Sequence, residues 1–310
     1  VHEHKLIFSQ LAAETGLIVN YLDVGARGDI YAPWSLFQDD SLKVIGFEPD
    51  PKECARLSQL YPGRVYYPHA LWGSEATKNF YLYEWESTSS MYPPNEAPNR
   101  TYLERHWTGR KPKAEIEVQC VALDDVLSEA DAPDFIKLDT QGSEYEILQG
   151  ARKILTKNQP LVLAETWCTE VYKGAPLTHD VMRLMHELGY ELFDLNVAAA
   201  WRYGPKTIKS VNAKARMIGF DLLFVKRVDL HDFDNLETLL KFAGLCELFG
   251  FRDYAALSLE KSKFADTLIV KQAIDVLVAN NQWETSWQRK IASKFKRLVR
   301  KNSPLWPQLH

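Results

Sequence analysis

Short apolar runs that alternate with helical stripes constrain this chain more than any other feature. "NYLDVG" (20–25), "LKVIGFE" (42–48), "RVYYPH" (64–69), "DFIKLD" (134–139) and "PLVLAET" (160–166) read as buried strands. Between several of them, Pro51 to Tyr61 and Ser143 to Lys157 carry apolar residues at helical spacing. Strand and helix in alternation imply a parallel sheet with right-handed crossovers. Further on, "GYELFDL" (189–195) and "GFDLLFVK" (219–226) are placed to close that sheet as a pair.

Two stretches break the plan. The strands "KNFYLYE" (78–84) and "EIEVQC" (115–120) flank an insertion over 85–114 that holds Pro93, Pro94, Pro98 and Pro112 with Trp85, Tyr92, Tyr102 and Trp107. A loop of that length in a compact domain is usually functional. After about residue 228 the pattern is helical. Trp283, Trp287, Ile291, Phe295 and Leu298 form one stripe among Arg289, Lys290, Lys294, Lys296, Arg297, Arg300 and Lys301. Such a basic helix packs on its own domain or a partner subunit, or touches a membrane surface or an anionic glycan. The expected organisation is an N-terminal helix over 1–17, an α/β domain over 18–228 and a helical extension over 229–310.

Composition narrows the function. A net charge of −4 argues against a nucleic-acid protein defined by overall basicity. No apolar run approaches the roughly 18 residues of a membrane helix. Cys54, Cys120, Cys168 and Cys246 lack metal-ligand spacing and read as free thiols in a reducing compartment. With no leader pattern in the opening residues, the expected location is cytoplasmic.

One strand is unusual. In "DFIKLDTQGSEYEILQGA" (134–151), alternation puts Lys137 and Asp139 on one face and Ile136 and Leu138 on the other. Asp139 ends the strand, so it would sit at the carboxyl edge of the sheet, where ligands of open α/β sheets bind. Gly142 supplies a turn and Ser143 a helix N-cap. The competing reading is a plain ion pair between Lys137 and Asp139.

The first strand ends in "YLDVGARGD", with Gly25 and Gly28 in the turn that follows Asp23. Glycines there let backbone approach a ligand. About 25 residues on, "GFEPDP" puts Glu48 at the end of the second strand, where an acid accepts hydrogen bonds from a ribose. Together they point to an adenosine-containing cofactor.

"FIKLDTQGSEYEILQGA" closely resembles the signature of the FkbM family of S-adenosylmethionine-dependent methyltransferases. The likeness extends to "YLDVGARGD", "IGFEPDP", "HALWGSEATKNFYLYE", "VQCVALDDVL" and the region from "LVLAETW" to "FDLLFVK", in order over roughly residues 18 to 228. It departs at Arg27 and Asp29, where the family commonly has Asn and Gly. The resemblance implies an α/β, Rossmann-like class I methyltransferase sheet, mostly parallel with an antiparallel last strand, followed by the C-terminal helical extension. It implies S-adenosylmethionine as cofactor and methyl transfer to a hydroxyl of a sugar, glycan or glycan precursor, with a polyketide or other secondary-metabolite hydroxyl as the alternative. A nicotinamide-dependent oxidoreductase shares the glycine turn and Glu48, but its sheet lacks the closing antiparallel pair. A non-catalytic binding subunit is the third reading.

By position, Asp23, Gly25, Ala26 and Gly28 line the methionine portion, with Arg27 placed for its carboxylate. Glu48 and Pro49 lie at the ribose, and Ala70 and Leu71 flank adenine. Asp139, Glu144 and Glu165 are the candidate proton acceptors, with His69 and His179 in reserve. Glu144 also reads as an early-helix acid favoured by the dipole. Acids at strand ends can hold magnesium, but no metal motif is present and none is expected to be required. Acceptor binding falls to Ser89, Ser90, Tyr92, Trp107, Trp167 and Tyr172, whose hydroxyls and flat faces suit a sugar ring unless the aromatics only pack the loop.

Overall fold

The computed structural model describes residues 16–30, 33–34, 41–207, 209, 213–230 and 233–282. The expected helix over 1–17 falls almost wholly outside these residues, and the basic stripe over 283–301 lies outside them altogether. The described residues form two compact units, Ile18–Asp232 and a second that holds 233–282.

The larger unit is built on a seven-stranded sheet. Its strands are β1 (Val19–Val24), β2 (Leu42–Phe47), β3 (Val65–Tyr67), β7 (Phe135–Leu138), β8 (Leu161–Trp167), β9 (Tyr190–Trp201) and β10 (Arg216–Lys226). They lie in the order β3-β2-β1-β7-β8-β10-β9. The first five are parallel, and β10 runs antiparallel to both β8 and β9. This mixed α/β sheet has the class I methyltransferase order, closed by the antiparallel pair. A second sheet of three strands joins β4 (Ala70–Leu71), β5 (Ala76–Tyr83) and β6 (Pro112–Val121) in the order β4-β6-β5.

Strand residues are apolar because both faces of the sheet are covered. Leu22, Val24, Ile45, Phe47, Ile136, Leu138, Val162, Ala164, Leu222 and Phe224 share one core with Ile147, Leu148, Leu155, Leu184 and Met185. Helix α1 (Pro51–Leu60) follows β2, with Pro51 at its start and Asp50 accepting from the Lys52 amide at 3.0 Å.

The expected helix from Ser143 to Lys157 is instead two, α2 (Glu144–Gln149) and α3 (Arg152–Lys157). At the break the Gly150 carbonyl accepts from the Asp124 amide at 2.9 Å instead of from Ile154, and a Cβ on Gly150 would lie 2.2 Å from the Trp72 carbonyl oxygen. The Asp124 carboxylate then restarts the helix by accepting from the Lys153 and Ile154 amides at 2.8 and 3.0 Å. Helix α4 (Thr178–Glu187) precedes β9.

The insertion is not an open loop. It holds 3-10 turns at Glu86–Thr88, Glu104–His106 and Thr108–Arg110 and a helical turn at Glu96–Asn99, and Pro112 already belongs to β6. Its aromatics explain the order: Tyr83, Tyr102, Trp167, Tyr172 and Trp201 are buried together, with Tyr92 and Trp107 against them. Aromatic side chains bury large areas, enough to fold a long segment down.

The second unit holds α5 (Leu236–Leu248), α6 (Arg252–Lys261) and α7 (Leu268–Gln282). Asn235 caps α5 by accepting from the Thr238 amide at 2.9 Å, and Phe242 packs against Phe233 and Tyr254. No described helix is long and apolar enough to cross a membrane.

Leu155 is fully buried between α3 and the sheet. Leu155→Ala is expected to destabilise the larger unit by about 2–5 kcal/mol through lost burial and the cavity left behind. Urea unfolding followed by circular dichroism should show a lower midpoint at unchanged slope.

Candidate active site

Parallel pairing sets Asp23 beside Lys137, so the carboxyl ends of β1 and β7 lie side by side. The turn after β1 is pressed against the end of β7. The Asp139 amide donates to the Val24 carbonyl at 3.0 Å, and the Gly25 and Ala26 amides both donate to the Phe47 carbonyl. Gly25 has φ +78°, and a Cβ on it would stand 2.1 Å from the Asp139 carbonyl oxygen. Only glycine fits.

These ends open into a cavity of about 240 Å³. Of the residues expected at the cofactor, Asp23, Gly25, Arg27, Glu48, Pro49, Ala70 and Leu71 line it; Ala26 and Gly28 do not. His69 also lines it, and its Nδ1 is buried without a hydrogen-bond partner, so a nucleobase edge would satisfy it. His179 is exposed on α4, beside Asp180.

Glu48 is buried and accepts from the Asp50 amide at 2.9 Å. Burial raises its carboxyl to about 7 even though that hydrogen bond and Arg27 oppose the shift. Arg27 makes its 2.8 Å bond to Glu86 of the insertion and lies 3.9 and 3.7 Å from Glu48 and Asp50. Three carboxylates thus hold the guanidinium expected at the methionine carboxylate, because the turn after β1 faces the end of β2.

The charge pair of β7 is part of a larger group. Lys137 Nζ lies 3.1 Å from Asp23 and 3.8 Å from Asp139. Burial would lower the ammonium, but the charges of Asp23 and Asp139 outweigh it and hold it above its usual value. Asp139 reaches the cavity and Glu165 stands behind it. Gln141 ties them together, donating through Nε2 to Asp139 at 3.0 Å and to Glu165 at 3.1 Å. Desolvation pushes Asp139 up, yet hydrogen bonds from Glu165, Gln141 and Lys137 prevail and keep its carboxyl below the ordinary range. Burial, then the Asp139 charge, drives Glu165 up to about 10. The two carboxyls are thus pushed apart in proton affinity, Asp139 downward and Glu165 upward.

Gln141 gave no sequence signal as a site residue. It stands at φ 60°, unusual for a side chain other than glycine. Its carbonyl accepts from Ser90 Oγ at 2.7 Å, and its side-chain oxygen accepts from Tyr172 at 2.8 Å.

Several expected residues sit elsewhere. Glu144 is buried and does not line the cavity; its carboxylate accepts from the Thr140 and Gly142 amides at 2.8 and 3.0 Å. It closes the turn that Ser143 was expected to cap, and Ser143 makes no capping bond. Ser89 lines the cavity, but Ser90 is fully buried. Tyr92 bonds to Glu146. Trp107 is half-buried, whereas Trp167 and Tyr172 are interior and covered by one another, Trp201 and Arg110. Their faces pack the insertion rather than lie open to a sugar. Among the described residues no group of three His, Cys, Asp or Glu side chains is placed to hold a metal ion.

The family model of the methyltransferase FkbM domain matches residues 23–192. The chain belongs to the FkbM methyltransferase family. Members use S-adenosylmethionine, and the carboxylate of Glu48, the glycine turn and the partnerless His69 nitrogen are the donors and acceptors that an adenosine cofactor needs. The crystal structure of an FkbM methyltransferase from Methylobacillus flagellatus is similar at 15% identity and a TM-score of 0.36, over 67% of this chain and 43% of that one. This chain therefore spans less than half of that protein's length. Magnesium protoporphyrin IX methyltransferase from Synechocystis, with bound SAM, is similar at 8% identity and a TM-score of 0.36, over 71% and 76% of the two chains. A TehB-like SAM-dependent methyltransferase from Corynebacterium glutamicum is similar at 12% identity and a TM-score of 0.34, over 71% and 87%. No curated protein gives a significant match.

Two outcomes are expected here. Gly25→Ala should abolish S-adenosylhomocysteine binding in calorimetric titration and lower the thermal midpoint, because the turn must leave the Asp139 carbonyl. The ribose contact expected of Glu48 is best made by the carboxylate, so S-adenosylhomocysteine affinity should weaken as pH falls through about 7. Titrations from acid to mildly alkaline pH should lose that dependence in Glu48→Gln.

Proposed function

We propose that this chain transfers a methyl group from S-adenosylmethionine to a hydroxyl oxygen of a sugar, glycan or glycan precursor. One observation carries the reading: the carboxyl of Asp139 stands at the carboxyl edge of the sheet and faces the cavity, tied through Gln141 to Glu165 behind it. An alcohol is too weakly acidic to give up its proton unaided, and a carboxylate within hydrogen-bond reach supplies the acceptor.

When bound, the cofactor supplies an electrophilic methyl on a sulfonium, a good leaving group. The chain's part is alignment and proton removal. Glu48 and the turn at Gly25 fix the donor end. Asp139 takes the hydroxyl proton as the oxygen–methyl bond forms and the sulfur–methyl bond breaks. Hydrogen bonds from Glu165 and Gln141 and the charge of Lys137 favour the charged form of Asp139. Ser87 and Ser89 of the insertion line the same cavity and offer hydroxyls to a polyhydroxylated acceptor. Family membership favours this methyl donor over a nicotinamide.

The test is incubation with methyl-labelled S-adenosylmethionine and a panel of sugars, followed by mass spectrometry of the products. Label on a sugar oxygen supports the reading; label only on nitrogen or carbon acceptors overturns it. Asp139→Asn should cut turnover by about 10²–10⁴-fold while S-adenosylhomocysteine still binds. Glu165→Gln should keep more activity, and Glu144→Gln should chiefly lower stability by loosening the turn at Thr140 to Gly142. Equal turnover in Asp139→Asn and the parent would remove Asp139 from the mechanism.

A further inference from the structure

Several cations of the insertion and of the adjoining ends of β9 and β10 stand apart from the acids. Elsewhere Arg27, Arg56, Arg64, Arg183 and Arg227 each have a carboxylate within 4 Å. Arg105, Arg110, Lys111, Arg202 and Arg216 have none among the described residues, although the chain as a whole is acidic, at −4.

Arg110, Lys111 and Arg216 meet one aromatic group. Arg110 lies over the rings of Trp167, Tyr172 and Trp201 at 5.1, 5.6 and 5.2 Å. His106 stacks on Trp201 and accepts from the Arg202 amide at 3.3 Å. Arg216 donates to Tyr102, which meets Trp201 edge-on. Burial, then the charges of Arg105 and Arg202, hold His106 below its usual range, as expected in a positive field.

Arg110 is the member nearest the chemistry. Its three hydrogen bonds go to neutral oxygens: Tyr172 Oη at 3.0 Å, the His106 carbonyl at 3.3 Å and Gln141 Oε1 at 3.4 Å. Two of its five N–H groups are left over. Through Gln141 it stands one side chain away from Asp139 and Glu165. The aromatic group is also short of acceptors, since the Trp107 and Trp167 indole nitrogens are buried with no partner. Donors held in an apolar surround without an anion favour a carboxylate or phosphate that arrives with a ligand.

We propose that Arg110, with the cations around Trp201, binds a carboxylate or phosphate on the methyl acceptor and so selects an anionic sugar or acidic glycan. An anion seated at Arg110 sets a neighbouring hydroxyl toward Asp139, and the surrounding cations steer such acceptors to the site. This rests on the methyltransferase reading and names its acceptor class.

The test uses the full chain saturated with S-adenosylhomocysteine and titrated calorimetrically with D-glucuronate, D-glucose 6-phosphate and methyl glucoside. Failure of S-adenosylhomocysteine itself to bind would count against the methyltransferase reading, not against this step alone. With it bound, at least one charged sugar should bind about tenfold more tightly than methyl glucoside, a difference of about 1.4 kcal/mol. Preference for glucuronate assigns a carboxylate, preference for the phosphate ester assigns a phosphate, and high salt should erase either. Arg110→Met should remove the preference while S-adenosylhomocysteine affinity holds; Arg110→Lys should keep part of it. If Arg110→Met does not fold, the salt response and charge preference of the unmodified chain decide. Equal affinity for charged and neutral sugars, no binding of either charged sugar, or a preference that survives Arg110→Met would overturn the proposal.

Discussion

The close seating of the β1 turn on the end of β7 is the contact on which the site depends. Parallel pairing brings Asp23 opposite Lys137, and Gly25 lets the backbone meet the Asp139 carbonyl with no room for a side chain. From that contact follow the mouth of the cavity, the ion group Asp23–Lys137–Asp139 and the direction in which Asp139 faces. The larger hydrophobic core lies along the strands, but the chemistry is organised at this edge because parallel strands end together there.

The site carries several buried or half-buried acids near one ammonium, and their charges separate by environment. Lys137 sits between two carboxylates and stays protonated. Glu165, on the next strand, is pushed up by burial and the charge of Asp139, while hydrogen bonds hold Asp139 down. Glu48 lies at the other end of the cavity, and burial leaves it near neutrality in titration. Two carboxyl groups in one site with separated affinities for protons are the arrangement that acid–base work requires.

The insertion turns from a loop into part of the site by burying its aromatics against the strand ends of β8 and β9. Tyr172 and Ser90 grip Gln141, and Gln141 holds both Asp139 and Glu165. The same packing removes the flat faces of Trp167 and Tyr172 from the surface and leaves Arg110 among rings, with no carboxylate beside it among the described residues. Substitutions in this segment thus reach the acid pair through hydrogen bonds rather than by direct contact.

Alternation of apolar runs and helical stripes was enough to read the parallel sheet, its closing antiparallel pair, and the placing of Glu48 and Asp139 at strand ends, because strand periodicity and crossover handedness are local properties of a chain. The motif order likewise made the family legible. The break between α2 and α3 was not, since Asp124, about 25 residues earlier, takes the Gly150 carbonyl and the Lys153 and Ile154 amides. Nor were the roles of Glu144, Gln141 and Arg110. A buried glutamate that closes a turn and one that takes a proton look alike in a string of letters. Whether an arginine has a carboxylate beside it depends on which segments are folded together. Burial and pairing are set by tertiary contacts, and these decided which acid faces the cavity, which aromatic is interior and which cation meets rings rather than carboxylates.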